Sequence, residues 1–291
     1  MRSFFASVLM MLAVITLEVR ADAPAIDKQK LEVFLRFAEG YAPSVKFVIG
    51  DPEPTSVPGY FKVQIHLSTG ESKLDKVYYI TADGKLVTAA PVWDVNQNPF
   101  AESAKNLTTV GPSFGPANAK VVMIVFSDFQ CPYCREFART IRENVPKKYP
   151  NDVRVIFHNF PLESIHPWAK DGAEAADCVG AQGNDAFWAF HDWIFEHQGD
   201  VNTNNVREKT LAFAQTQKLN TQKLTACLDS HAFRPEVEAN IKRDKELGLQ
   251  QTPTFYVNGR VVPGALPWPA LDTLIQMELN RPAFIPPVSI K

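Results

Sequence analysis

The sequence predicts an α/β fold in two parts. A small α+β module comes first, and a larger domain follows whose sheet is interrupted by an all-helical block. Three observations carry this reading. Val121–Phe126 is an unbroken apolar, mostly β-branched run, the pattern of a short strand buried on both faces. Val153, Val155 and Phe157 alternate with Arg154 and His158, so 152–160 reads as a second strand, and the helix between them makes a β–α–β crossover with parallel strands. From 164 to about 247 only helical spacing is found, after which Thr254–Val257, an Asn258-Gly259 turn and Arg260–Val262 form a compact hairpin.

In chain order, residues 1–21 read as a signal peptide. Arg2 supplies the positive start, Phe4–Leu17 the apolar core, and Ala21 and Ala23 the small residues of a cleavage site. The apolar run is short for a bilayer span, which needs about twenty residues. An exported protein in an oxidising compartment, periplasmic or otherwise extracytoplasmic, is expected. The net charge of −2 leaves no basic excess for a nucleic-acid partner, and 45% hydrophobic residues suffice for a sizeable core.

Residues 22–105 are expected to form the small α+β domain. Asp27 looks like the N-cap of an amphipathic helix that sets Leu31, Phe34, Leu35 and Ala38 on one face and ends at Gly40. Extended segments follow at 44–49, at 60–67 with Phe61, Val63, Ile65 and Leu67 alternating, at 76–81, and at 85–90 after the Ala82-Asp83-Gly84 turn. The module has no cysteine, and its one histidine, His66, points away from the alternating apolar face. No catalytic constellation is found in it. Residues 106–119, in a stretch rich in Pro, Asn, Ser and Gly, read as a linker. The remainder, 120–291, is the larger domain.

Its centre is Cys131-Pro-Tyr-Cys134, which follows the first strand and opens a helix predicted over 135–144. At a helix start this spacing lets the two sulfurs bridge, and the unpaired N–H groups and helix dipole stabilise a thiolate at Cys131. Pro132 suits an early helical position, where its missing N–H removes a donor without a partner. Zinc would need two further ligands, and neither a second Cys-x-x-Cys nor a His-x-x-x-His follows. His158, His166, His191, His197 and His231 are scattered without metal-ligand spacing. The aromatic run from Phe187 to Phe195 reads as the apolar face of a core helix. No metal or other cofactor is called for.

Phe126-Ser-Asp-Phe-Gln-Cys-Pro-Tyr-Cys-Arg-Glu-Phe resembles the active-site segment of thioredoxin-fold disulfide oxidoreductases of the bacterial Dsb type. A second match, Gly248-Leu-Gln-Gln-Thr-Pro253-Thr-Phe-Tyr-Val-Asn-Gly259, resembles the family's cis-proline segment, which lies against the redox disulfide. The resemblance covers roughly 111–281 and implies a thioredoxin fold with an inserted helical subdomain, as in DsbA. It implies that Cys131 attacks, that Cys134 resolves, and that Thr252 and Pro253 position the substrate. Some relatives carry a buried acid six residues before the first cysteine, where this chain has Val125. The nearest acid is Asp128, read either as a proton-transfer group or as a solvated turn residue. The hairpin Val77-Tyr-Tyr-Ile-Thr-Ala-Asp-Gly-Lys-Leu-Val resembles the N-terminal dimerisation domain of the DsbC/DsbG isomerases. That likeness implies a homodimer whose first domain cradles substrate. An independent packing domain is the alternative.

Cys178 and Cys227 lie on separate predicted helices of the insert. The resemblance to DsbA-like sequences implies a structural disulfide between them, and two buried thiols are the alternative. Closing so long a loop would stabilise the fold by roughly 3–4 kcal/mol. The function implied is disulfide exchange with unfolded or misoxidised exported proteins, as oxidase or isomerase, with a membrane redox partner recycling the dithiol. A redox-inactive chaperone on the same scaffold is the competing reading.

Overall fold

The computed structural model describes residues 25–70 and 72–290; the predicted signal peptide at 1–21 lies outside them. The chain divides into two compact units, Met1–Asp94 and Val95–Lys291. Among the described residues no helix is long and apolar enough to cross a membrane.

The first unit opens with helix α1 (Lys28–Glu39), whose N-cap Asp27 accepts a hydrogen bond from the Lys30 N–H and whose chain reverses at left-handed Gly40. Strands β1 (Lys46–Ile49), β2 (Glu53–Pro54), β3 (Tyr60–Thr69), β4 (Ser72–Thr81) and β5 (Val87–Thr88) follow. They form an antiparallel sheet in the order β1-β3-β4-β5, with β2 also pairing β3. Period-two alternation on β3 puts Phe61, Val63, Ile65 and Leu67 inside, against Leu31 and Leu35 of α1 and Tyr78 and Ile80 of β4. Two expectations are corrected here. The hairpin turns at Gly70, so β4 begins at Ser72 rather than at residue 76. Phe34 is half exposed and Ala38 exposed, because the sheet covers only the Leu31–Leu35 stripe of the helix.

The second unit contains α2 (Ala101–Lys105), β6 (Ser113–Phe114), β7 (Val121–Ser127), α3 (Pro132–Lys148) and β8 (Val153–Asn159). The insert follows as α4 (Ala169–Gly180), α5 (Asn184–Glu196), α6 (Val206–Thr216), α7 (Thr221–Asp229) and α8 (Arg234–Glu246). Strands β9 (Thr254–Val257) and β10 (Arg260–Pro263) and helix α9 (Trp268–Leu279) close the chain. The sheet order is β10-β9-β7-β8-β6, with β7 and β8 parallel and the other pairs antiparallel. This is the thioredoxin order with a helical insert that the sequence predicts.

Strand β7 is central and buried on both sides. Val121, Met123 and Val125 face a core shared with Phe137 and Ile141 of α3 and Leu271 and Ile275 of α9. Ile124 and Phe126 face a second core with Val237 and Ile241 of α8. The Asn258-Gly259 turn has both residues at positive φ, and a Cβ at Gly259 would come within 2.6 Å of the Phe100 carbonyl, so that position admits only glycine.

The domain boundary is a further correction. Residues 95–105 belong to the second unit, and the expected linker at 106–119 is part of its fold. Leu107 is buried in the second core, Ser113 and Phe114 pair with β8, and the Ser103 hydroxyl donates to the Gly259 carbonyl at 2.6 Å. Asn184, the first residue of α5, accepts the Ser113 N–H at 2.9 Å and pins that edge strand.

Candidate redox site

Cys131 is the N-cap of α3 and Pro132 its first residue, so the dithiol sits where the helix has N–H groups without intrahelical partners. Cys131 and Cys134 are both thiols here, and Tyr133 between them is 70% exposed. The two sulfurs are electrostatically unequal. Hydrogen bonding from Cys134 lowers the Cys131 pKa to about 6 against the opposing effect of burial, helped by the backbone N–H groups of Cys134 and Tyr133. Burial is the main cause that pushes Cys134 well above the ordinary thiol value, and the neighbouring Cys131 adds to it. The arrangement therefore supplies one thiolate near neutral pH and one protonated thiol behind it.

The second sequence motif closes on the first. The Thr252–Pro253 peptide bond is cis, and the Cys131 thiol donates to the Thr252 carbonyl at 3.4 Å. The Thr252 side chain is buried against Cys131 and adds to the lowering of its pKa. Cys131, Cys134, Thr252 and Pro253 are thus brought together from distant parts of the chain.

Asp128 is fully buried, not a solvated turn residue. Its carboxylate accepts the N–H of Gln130 at 2.7 Å and of Leu162 at 2.8 Å, and His166 Nδ1 lies 2.7 Å from the same oxygen as Leu162. Its backbone N–H donates to the Cys134 sulfur at 3.4 Å. Asp128 thereby fixes the turn between β7 and α3 and ties it to the loop after β8. Gln198, in a short 3-10 turn after α5, completes the turn from the other side. Its amide donates to the carbonyls of Phe129 at 2.8 Å and Cys131 at 3.0 Å. Sequence reasoning misses Gln198, because a lone glutamine far from the motif has no spacing to betray it.

Cys178 of α4 and Cys227 of α7 are bridged, with a sequence separation of 49. The bridge cross-links α4 and α7 of the insert. Among the described residues no group of three or more His, Cys, Asp or Glu could hold a metal ion.

Residues 107–277 match the family model described as Thioredoxin. The chain is similar to disulfide bond formation protein D of Bacillus subtilis, 28% identical over 173 residues that cover 58% of this chain and 77% of that protein. It is also similar to the Na(+)/H(+) antiporter NhaA 1 of Salinispora arenicola, 31% identical over 146 residues, 50% of this chain but only 21% of the antiporter. Among solved structures, oxidised BdbD from Bacillus subtilis aligns with a TM-score of 0.53 and 28% identity, covering 58% of this chain and 92% of that one. The structure of α-DsbA1 from Wolbachia pipientis aligns with a TM-score of 0.50 at 18% identity, covering 57% and 89%, a likeness of fold alone. The family match begins after the first unit.

Proposed function

The chain belongs to the thioredoxin family, with a second unit of the Dsb type, and on that premise we propose that it is an exported thiol:disulfide oxidoreductase acting on protein clients. The observation that carries the reading is the unequal dithiol at the start of α3, closed over by Thr252 and Pro253. In the oxidised enzyme a client thiolate attacks Cys131, the Cys131–Cys134 bond breaks, and Cys134 leaves with the electron pair and takes up a proton. A second client thiolate then attacks the client sulfur of the mixed disulfide and expels Cys131. Its low pKa makes Cys131 a good leaving group, so the client is oxidised and the enzyme keeps both electrons. A membrane oxidant would return the dithiol to the disulfide.

Export is supported by the signal-like segment at 1–21 and by the Cys178–Cys227 bridge, which belongs in an oxidising compartment. A redox-inactive chaperone would have no use for the split pair of thiols. An isomerase reading is favoured by the first unit, where Phe34, Phe37 and Trp93 are exposed and a second copy could cover them. The test is reactivation of a protein with scrambled disulfides beside oxidation of the same protein fully reduced. Fast oxidation lost on Cys131→Ala is the expected result. Reactivation by a dimer would assign the isomerase role, and inactivity in both assays would overturn the enzyme reading.

A further inference from the structure

Disulfide exchange requires Cys134 to shed or gain a proton deep in the protein, and Val125 leaves the strand before it without an acid. Behind Cys134 lies a cavity of about 20 Å³, lined among others by Val125, Ser127, Cys134, Arg142, Trp188 and His191. A water molecule needs roughly 10–15 Å³ of such space and two to four polar partners. Trp188 lines this cavity and is buried, and its Nε1 is a donor without a partner among the described residues. A water there would satisfy that N–H and lie among Ser127, Cys134 and His191.

His191 lines this cavity and also an open groove of about 590 Å³ on the outside of α3 and α5. His191 therefore stands between the cavity at Cys134 and the groove. Its Nδ1 lies 2.8 Å from the Asp192 carboxylate and donates to it, which leaves Nε2 as the acceptor. Asp192 is fixed in turn by Arg142, whose Nε and Nη2 donate at 3.0 and 2.7 Å.

We propose that His191 is the proton acceptor for Cys134, reached through one water in this cavity and oriented by Asp192 and Arg142. The inference rests on the oxidoreductase reading above. When reduced enzyme attacks a disulfide, Cys131 forms the mixed disulfide first. Cys134 then attacks the Cys131 sulfur, and as the new S–S bond forms its proton passes through the water to His191 Nε2. The bond from Cys131 to the client sulfur breaks, the client leaves as a thiolate, and His191 returns the proton to solvent in the groove. Burial lowers the His191 pKa, partly offset by Asp192, so the imidazole is neutral and able to accept.

The charged groups facing His191 are Asp192 beside it and Arg142 from α3, and the groove adds Arg135, Glu136, Arg139, Glu143 and Glu196. Strands β7 and β8 offer the cavity only uncharged side chains, Val125, Ser127, Val155 and Phe157. Among the described residues His191 is thus the one imidazole at the cavity, and no carboxylate lines it.

The test uses the reduced full-length protein and 5,5′-dithiobis(2-nitrobenzoic acid), followed by stopped flow. The first equivalent of coloured thiolate reports attack by Cys131 and the second reports resolution by Cys134. In H191Q the second phase should slow at pH 7 on the order of 100-fold, while the first stays within about twofold. The slowed phase should then rise in proportion to hydroxide, whereas the wild-type phase is flat near neutrality. W188F keeps the ring packing and removes the donor to the water; it should slow the second phase alone by a smaller factor, and it decides the matter if H191Q does not fold. An unchanged second phase in the folded variants, or both phases slowed equally, would overturn the relay. Absence of the first phase in wild-type protein would overturn the oxidoreductase reading itself.

Discussion

Cys131–Cys134 and Cys178–Cys227 border the same hydrophobic core, yet their surroundings give them opposite roles. The first pair sits on one helix start, where free N–H groups and the neighbouring thiol stabilise charge on Cys131. The second joins α4 to α7 near the C-terminal end of each helix, among apolar side chains. A thiolate at the first pair is stabilised before a client arrives. At the second pair the bond removes freedom from the unfolded chain. Cysteine content is the same, and backbone placement decides the chemistry.

The sharpest way to break this contrast is to exchange the losses. Cys131→Ser should lower the rate of disulfide exchange by several orders of magnitude, as removal of a nucleophile does, and should leave the thermal unfolding curve of the reduced protein nearly unmoved at about pH 5, where Cys131 is a thiol in the folded and unfolded chain alike. Cys178→Ala with Cys227→Ala should do the reverse. Unfolding in urea should show a loss of roughly 3–4 kcal/mol, with alkylation of Cys131 within about twofold of wild type. If the second variant instead abolished exchange at full stability, the division of labour would be wrong.

The pH dependence sharpens the same contrast. Alkylation of Cys131 by iodoacetamide should follow a titration with its inflection near 6, falling about tenfold per pH unit below it, whereas Cys134 should stay unreactive at neutral pH. Cys131 has a folded pKa below that of an unfolded thiol, about 8.5. The stabilisation it gives the reduced protein is therefore fully present above about pH 8.5 and lost as pH falls through about 6. The bridged Cys178 and Cys227 do not titrate. Urea midpoints of the reduced protein, taken relative to those of the oxidised protein, should thus rise from about pH 6 to about 8.5. A flat difference would mean that the Cys131 thiolate is not stabilised by the fold.

Much of this site is legible in the sequence because it is written in short-range patterns. The apolar run Val121–Phe126 needs no partner to declare a doubly buried strand, and Cys-Pro-Tyr-Cys declares two thiols within reach at a helix start, whereas Thr252-Pro253 is legible only through the family resemblance. What could not be read depends on approach between distant segments. Composition marks the Pro- and Gly-rich stretch at 106–119 as a linker, but says nothing about burial of Leu107 or pairing of Phe114 with β8. Helical periodicity puts Phe34 beside Leu31 and Leu35, but not the edge of the sheet that leaves it exposed. Gln198, His166 and His191 acquire their meaning from contacts with Cys131, Asp128 and the cavity behind Cys134, and no spacing announces them.

Asp128 is the residue on which the two kinds of reading separate most finely. Sequence proximity to Cys131 suggests proton transfer, whereas the structure occupies its carboxylate with the N–H groups of Gln130 and Leu162 and with His166. A buried carboxylate with three such donors holds backbone in place. Asp128→Asn keeps the shape and replaces one acceptor oxygen by an N–H that faces donors. Losing one hydrogen bond to a charged group and opposing another should lower stability by about 1–3 kcal/mol. Cys134 still receives the backbone N–H of residue 128, which the substitution does not alter. The resolution phase should therefore stay within about threefold of wild type once the protein is folded, and its pH profile should not move. A resolution rate that falls steeply in the folded variant, with first-order dependence on hydroxide, would transfer the proton-accepting role from His191 to Asp128.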